Sequence, residues 1–226
     1  VKKLILTTML FLIVSSLSLF AIDIVECYNE IPAEFLWGMK IRLTQKNNKW
    51  FYNDGMSREN VEALVDKENY YLKLDLPGGG FSVTQEIAIF LTKFNYDIVA
   101  INLIGSSMVG TCSNLKFYKY NGGDWTDITS DIFPLTDIAP FFDNTYFKEI
   151  SAKINNAGDV FCMVYELPQY GTKIIAYLFP NDAYAEADDY NEKRELYEQF
   201  RDNAKYTSIE IAYDYNNARF YISKKN

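Results

Sequence analysis

Glu86-Ile87-Ala88-Ile89-Phe90-Leu91-Thr92 and, five residues later, Ile98-Val99-Ala100-Ile101-Asn102-Leu103-Ile104 decide the fold class. In each run the odd and even positions are both apolar. A helix of that length would bury only one stripe, and a surface strand would alternate apolar with polar. Short runs apolar on both sides, separated by a polar turn at 93–97, predict central β-strands covered on both faces.

Working outward, 70–76 reads as a further strand ending at Pro77-Gly78-Gly79-Gly80. That glycine run is a turn rather than a phosphate loop, because no Gly-Lys-Ser/Thr follows and a strand comes next. Downstream, 115–120 and 124–128 predict a hairpin around Asn121-Gly122-Gly123. Pairing about Asn121-Gly122 sets Tyr118 opposite Trp125, Lys119 opposite Asp124 and Lys116 opposite Asp127. A glycine bulge would shift that register by one. A second apolar hairpin is expected over 160–167 and 172–179, and a third about Asn216-Asn217. In the third, a two-residue turn sets Tyr215 opposite Ala218, Asp214 opposite Arg219 as an ion pair, Tyr213 opposite Phe220 and Ile211 opposite Ile222.

The remaining segments are less regular. A short helix is expected near 33–37 and a strand near 40–44. Asn47-Asn48 and Asn53-Asp54-Gly55 are turn signals. Ser57 reads as the N-cap of a helix over 58–66 whose apolar face is Val61, Leu64 and Val65. The stretch 141–154 is a poor helix, and 183–204 is a better one. The expectation is a mainly β chain with a few short helices (α+β), with antiparallel meander sheets or a sandwich built from hairpins. It forms a single domain over 22–226, with two halves meeting near 131–158 as the alternative.

The first 21 residues read as an address. Lys2 and Lys3 precede an apolar run from Leu4 to Val14, then small residues to Ala21, which is the pattern of a secretory signal peptide. The expected cut follows Ala21, and an uncleaved anchor is the alternative. The segment would touch a membrane only in transit. Ile24-Val25-Glu26 before Cys27 argues against a lipoprotein. Removing the leader takes two lysines and leaves 20 basic against 30 acidic residues. Export to a periplasmic or extracellular location would place Cys27, Cys112 and Cys162 in an oxidising compartment, where any two of them can pair.

The segment Phe117-Tyr118-Lys119-Tyr120-Asn121-Gly122-Gly123-Asp124-Trp125-Thr126-Asp127-Ile128-Thr129 resembles a stretch in uncharacterised exported bacterial proteins, F-Y-x-Y-x-x-G-x-W-x-D-[IV]-T. Glu166-Leu167-Pro168-Gln169-Tyr170-Gly171-Thr172-Lys173-Ile174 resembles their later L-P-x-x-G-T-x-I stretch. The resemblance implies an exported β-rich protein and no activity.

Several chemistries are excluded by composition. The chain has no histidine, so Ser-His-Asp and Cys-His nucleophile systems and histidine metal sites are absent. A net charge of -8 repels phosphate backbones, and no nucleic-acid partner is expected. No cofactor, metal or catalytic residue is assigned. The 18 Tyr, 16 Phe and 3 Trp raise the question of an exposed stacking platform. Tyr118, Tyr120 and Trp125 are the candidates, set against the plainer reading that cross-strand aromatic pairs hold a sheet together. Paired carboxylates drawn from Asp124, Asp127, Glu166 and Asp214 could hydrolyse a glycoside. The acidic group Asp182, Glu186, Asp188, Asp189 and Glu192 fits a helix start better than a calcium site. The function expected is a non-catalytic binding or interaction module of a bacterial envelope, with a protein or glycan partner. A carboxylate-dependent polysaccharide hydrolase and a self-associating structural protein are the alternatives.

Overall fold

The computed structural model describes residues 22–53, 60–107, 110–135, 137–143, 147–148, 161–180, 195, 198 and 202–226. The fold is mainly β, with two antiparallel sheets and a few short helices. The leader, the acidic group at 182–192, and most of the helices expected at 141–154 and 183–204 lie outside the described residues.

Eight strands form one meander in chain order: β1 Thr44–Lys46, β2 Lys49–Tyr52, β3 Val61–Asp66, β4 Tyr71–Pro77, β5 Phe81–Phe90, β6 Asp97–Ser107, β7 Gly110–Asn121 and β8 Asp124–Asp127. The second sheet has β9 Phe161–Glu166, β10 Lys173–Pro180, β11 Ser208–Asp214 and β12 Arg219–Lys225, in the order β12-β11-β10-β9. Each sheet adds its strands in chain order, through short connections throughout the first sheet and in the β9–β10 and β11–β12 hairpins of the second.

The doubly apolar strands β5 and β6 lie at the centre of the first sheet, with both faces covered. Ala88, Phe90, Ile98, Ala100 and Phe117 pack on the second sheet, against Ile174, Ile209, Ile211 and Phe220. Ile87, Ile89, Val99, Ile101 and Leu103 face the other way, under helix α1 (Ile24–Glu30) and Leu36 of the 3-10 turn Ala33–Leu36. Period-two alternation assigns each side chain to one of the two cores.

Helix α1 is absent from the sequence reading, although its cap is written there. Asp23 accepts from the N–H groups of Val25 (2.9 Å) and Glu26 (3.3 Å), with Glu26 three residues on, as in a capping box. At the other end Lys40 Nζ donates to the carbonyls of Asn29 and Ile31, both at 2.6 Å.

Three local expectations are corrected. The helix expected over 58–66 is strand β3 where it is described, from Val61 onward, pairing with β2 on one side and β4 on the other. Its helical apolar spacing loses to two available partner strands, with Val61, Ala63 and Val65 on one strand face. The strand expected at 40–44 starts only at Thr44. The β7–β8 hairpin turns at Gly122-Gly123 rather than Asn121-Gly122, so Tyr120 pairs with Trp125 and Tyr118 with Asp127. Both turn glycines have positive φ (59° and 98°), which a two-residue primed turn requires. Lys116 and Asp127 still meet, at 2.9 Å, as a diagonal pair.

The β11–β12 register agrees with expectation at Asp214–Arg219, Tyr213–Phe220 and Ile211–Ile222, but the ladder ends there: 215–218 is a four-residue loop with Ala218 at φ 49°, not a two-residue turn pairing Tyr215 with Ala218. The expected ion pair there does not form. Asp214 instead accepts from Asn216 N (2.9 Å) and Asn217 Nδ2 (2.7 Å).

A buried polar hub joins the two sheets. Glu86, 4% exposed, accepts from Tyr71 OH (3.0 Å), Asn102 Nδ2 (3.0 Å) and Leu167 N (3.2 Å). Asn102 Nδ2 also donates to the Tyr165 carbonyl at 2.7 Å. Cys112 on β7 and Cys162 on β9 form a disulfide across the same junction.

Candidate functional site

Tyr118, Tyr120 and Trp125 are not an exposed platform. Tyr118 is 4% and Tyr120 8% exposed, and Trp125 is half-buried. Phe35, from the 3-10 turn, stacks on Tyr118 at 4.2 Å and meets Trp125 edge-on at 6.1 Å. Tyr120 OH donates to Glu30 at the end of α1. Burial raises the Tyr118 hydroxyl to about 12. The N-terminal segment covers this face of the hairpin, and no local pattern in 115–128 announces that cover. Tyr118 and Tyr120 are core, and Trp125 packs against it.

The four candidate carboxylates do not share a pocket: Asp124 and Asp127 lie on β8, Glu166 on β9 and Asp214 on β11. Asp127 is held by Lys116 (2.9 Å) and by Thr129 N and Oγ1 (3.0 and 2.7 Å). Burial alone would raise its pKa, but the Thr129 hydrogen bonds and Lys116 outweigh burial and hold it below the ordinary carboxylate value. Glu166 accepts from Tyr177 OH at 3.3 Å, and Asp214 closes its own hairpin loop. Asp124 pairs with Asn121 at the β7–β8 turn. A cleft of about 580 Å³ along β7 and β9 is lined by Asp127 but by no second acid. Among the described residues no three metal-ligating side chains converge. Cys27 is a free, buried thiol. Burial first, and then the carboxylates of Glu30 and Asp97, push its pKa well above the usual thiol range. It is no nucleophile.

What the structure does bring together is a groove of about 320 Å³ where the loops of the two sheets meet. The first sheet supplies Tyr70, from the β3–β4 loop, and Leu91, just past β5. The second supplies Pro168, Tyr213 and Tyr215. Glu68 and Asn69 give it a polar rim. Tyr213 anchors one wall: its ring packs on Phe90 (5.2 Å) and Phe220 (5.0 Å), and its hydroxyl donates to the Leu91 carbonyl at 3.0 Å. Burial holds that hydroxyl protonated beyond the ordinary tyrosine range. Tyr215 is 51% exposed, and Tyr170, on the β9–β10 loop, is 71% exposed.

The groove is cross-tied. Gln169 Nε2 donates to Asp66 Oδ2 at 3.1 Å, joining the β9–β10 loop to the β3–β4 hairpin. Asp66 also accepts from Asn69 N (3.1 Å) and Nδ2 (2.9 Å), and these side-chain bonds keep it acidic. Tyr70 holds φ 55°, a left-handed conformation uncommon for a bulky residue, and its carbonyl accepts Ile89 N at 3.0 Å. Strain of this kind persists only where surrounding structure enforces it, and it clusters at binding surfaces. Apolar ring faces with hydroxyl tips and an acid–amide rim can hold a ligand by stacking and hydrogen bonds. No local pattern marks these residues as a site, because Tyr70 and Tyr215 are 145 positions apart in the chain and each looks like an ordinary hairpin residue.

No family model and no curated protein matches the chain. One solved structure, of a domain of an uncharacterized protein from Porphyromonas gingivalis W83, is similar in fold. It matches 91% of this chain and all of that one with a TM-score of 0.51, at 10% identity. Identity that low speaks to the fold alone.

Proposed function

We propose that this is an exported bacterial envelope protein that works by non-catalytic binding, with the tyrosine groove as its contact surface and an envelope glycan as its partner. The observation that carries the reading is the convergence of loops from both sheets on one concave surface. Tyr215 is exposed there, and the loops are already tied together by the Gln169–Asp66 and Tyr213–Leu91 hydrogen bonds. A surface fixed before the ligand arrives loses little freedom on binding. Tyrosine faces suit the C–H faces of sugar rings, and the Glu68–Asn69 rim offers acceptors and donors to hydroxyls. The lysine-led leader and the disulfide between Cys112 and Cys162 support an oxidising, periplasmic or extracellular location.

The test is binding of the purified protein to glycan arrays and envelope extracts, before and after Tyr215→Ala. We expect about a tenfold loss of affinity, the usual scale for one aromatic contact at a binding centre. The melting temperature should move little, because the ring is half in solvent. Retention of no glycan, or unchanged retention by the variant, removes the groove from consideration. Retention of an envelope protein instead of a glycan would move the partner to the protein class. The hydrolase alternative receives no support from either pocket, since neither holds two of the candidate acids.

A further inference from the structure

Asp97 opens β6 and is 5% exposed, among the few buried charged side chains of the described protein. One carboxylate oxygen accepts the backbone N–H of Ile22. The other, Oδ2, is buried with no hydrogen-bond partner. Among the described residues no lysine or arginine forms an ion pair with it. The groups around it do not neutralise it either. Cys27 on α1 feels its charge as a neighbour, Tyr120 is its partner across the strand pair, and Tyr213 feels it from the second sheet. A buried carboxylate with a vacant oxygen and no counter-charge is costly, and such a group needs an explanation.

The donor already at the site is the nitrogen that follows Ala21. As a peptide nitrogen it carries one hydrogen and no charge. Hydrolysis of the Ala21–Ile22 bond would change both. Water gives its hydroxyl to the Ala21 carbonyl carbon and a proton to the Ile22 nitrogen, and the freed amine takes up a further proton at neutral pH. The product is an ammonium with three N–H donors, which can serve both carboxylate oxygens and cancel the charge. The position is held firmly. Asp23, next in line, caps α1 and pairs with Lys67 at 2.8 Å, Ile24 is fully buried, and Ile22 packs on the same core. A positive charge ahead of a helix is disfavoured by the helix dipole, so an ammonium here requires a carboxylate such as Asp97.

We propose that a signal-peptidase-type endopeptidase cuts the chain between Ala21 and Ile22, and that the new Ile22 ammonium docks on the Asp97 carboxylate as its buried counter-charge. The proposal rests on the export reading above and goes beyond it, by making the cut a step that completes the folded core.

The full chain is produced in an exporting bacterial host, and the product is recovered by fraction. Its first residue is read by mass spectrometry, and its α-amine is labelled with an amine-reactive reagent at neutral pH. The expected first residue is Ile22. The native α-amine should label at least about tenfold more slowly than in the same protein unfolded, since one unit of pKa change is a factor of ten in free amine. Asp97→Asn should restore the fast rate. If that variant fails to accumulate, the native-against-unfolded comparison in the parent protein still decides. An exported product with another first residue, or an Ile22 amine that labels equally fast folded and unfolded, overturns the proposal and leaves the export reading standing. Recovery of the uncut chain in the cytosol overturns both.

Discussion

Glu86 and Asp97 are two buried carboxylates with opposite consequences. Glu86 accepts three hydrogen bonds, with Lys73 Nζ at 3.6 Å, so its burial is compensated. Removing the carboxylate by Glu86→Ala strands Tyr71 OH and Leu167 N and leaves Asn102 Nδ2 with the Tyr165 carbonyl alone, and should cost about 3–5 kcal/mol in urea unfolding. Glu86→Gln should cost far less. Its oxygen can serve Asn102 and Leu167 while its NH2 donates to the Tyr71 oxygen, which can rotate its own hydrogen away. Equal losses for the two variants would show that the hub is not held by these bonds. Asp97 is the uncompensated case. Burial raises its pKa to about 6 from an ordinary 3.8, with only the Ile22 N–H pulling it down. A folded pKa above the unfolded one means that the folded state holds the proton more tightly. In a chain still carrying its leader, this group therefore favours the fold most below pH 4. That contribution falls as pH rises through 6, by about 3 kcal/mol in all. Urea midpoints from pH 4 to 7 should show the fall in the uncut chain and lose it in Asp97→Asn.

Among the elements, the hairpins show how turn chemistry fixes register. The β1–β2 turn, Asn47-Asn48, places both residues at positive φ (53° and 62°), with Lys46 paired to Lys49. Asn tolerates this region but Gly has no steric cost there. Asn48→Gly should raise stability by about 0.5–1 kcal/mol, read as a higher melting temperature with unchanged far-UV circular dichroism. A fall would mean that the Asn48 side chain makes an important contact. The β3–β4 and β11–β12 loops are longer and close on a left-handed non-glycine residue, Tyr70 and Ala218. In the second, Ala218 is buried, so core packing holds the unfavourable backbone in place. The turn at Asn216-Asn217 was legible from residue type, and so was the register. The loop's true length was not, because nothing in the sequence marks an alanine for positive φ. The same limit explains β3. Val61, Leu64 and Val65 satisfy a helical stripe as well as a strand, and the pairing with β2 and β4 settles the matter.

In the whole molecule, the two sheets share one core and are tied by the Glu86 hub and by Cys112–Cys162, which spans 50 residues. Closing a loop of that length removes unfolded-state entropy worth about 4 kcal/mol. Reduction should therefore lower the urea midpoint markedly without removing the β-type circular dichroism. Thiol counting should find no reactive group in the native oxidised protein and one, Cys27, after unfolding. A native protein that labels at once would mean that α1 does not cover Cys27 in solution. The candidate groove belongs to this scale too, because it exists only where the β3–β4 loop of one sheet meets the β9–β10 and β11–β12 loops of the other.

The sequence by itself determined the β class, most strand positions, the central pair β5 and β6, and the register of the last hairpin. Those follow from side-chain periodicity and turn residues, which act over a few positions. The tertiary structure alone decided which faces are covered and by what. Tyr118 and Tyr120 are core because Phe35 and Glu30, 83 and 90 residues earlier, lie over them. Among the described residues Asp97 has no counter-charge, because β6 begins where the backbone of Ile22, and no basic side chain, meets it. Burial is a property of surfaces brought together across long stretches of chain, and local patterns carry no record of the partner.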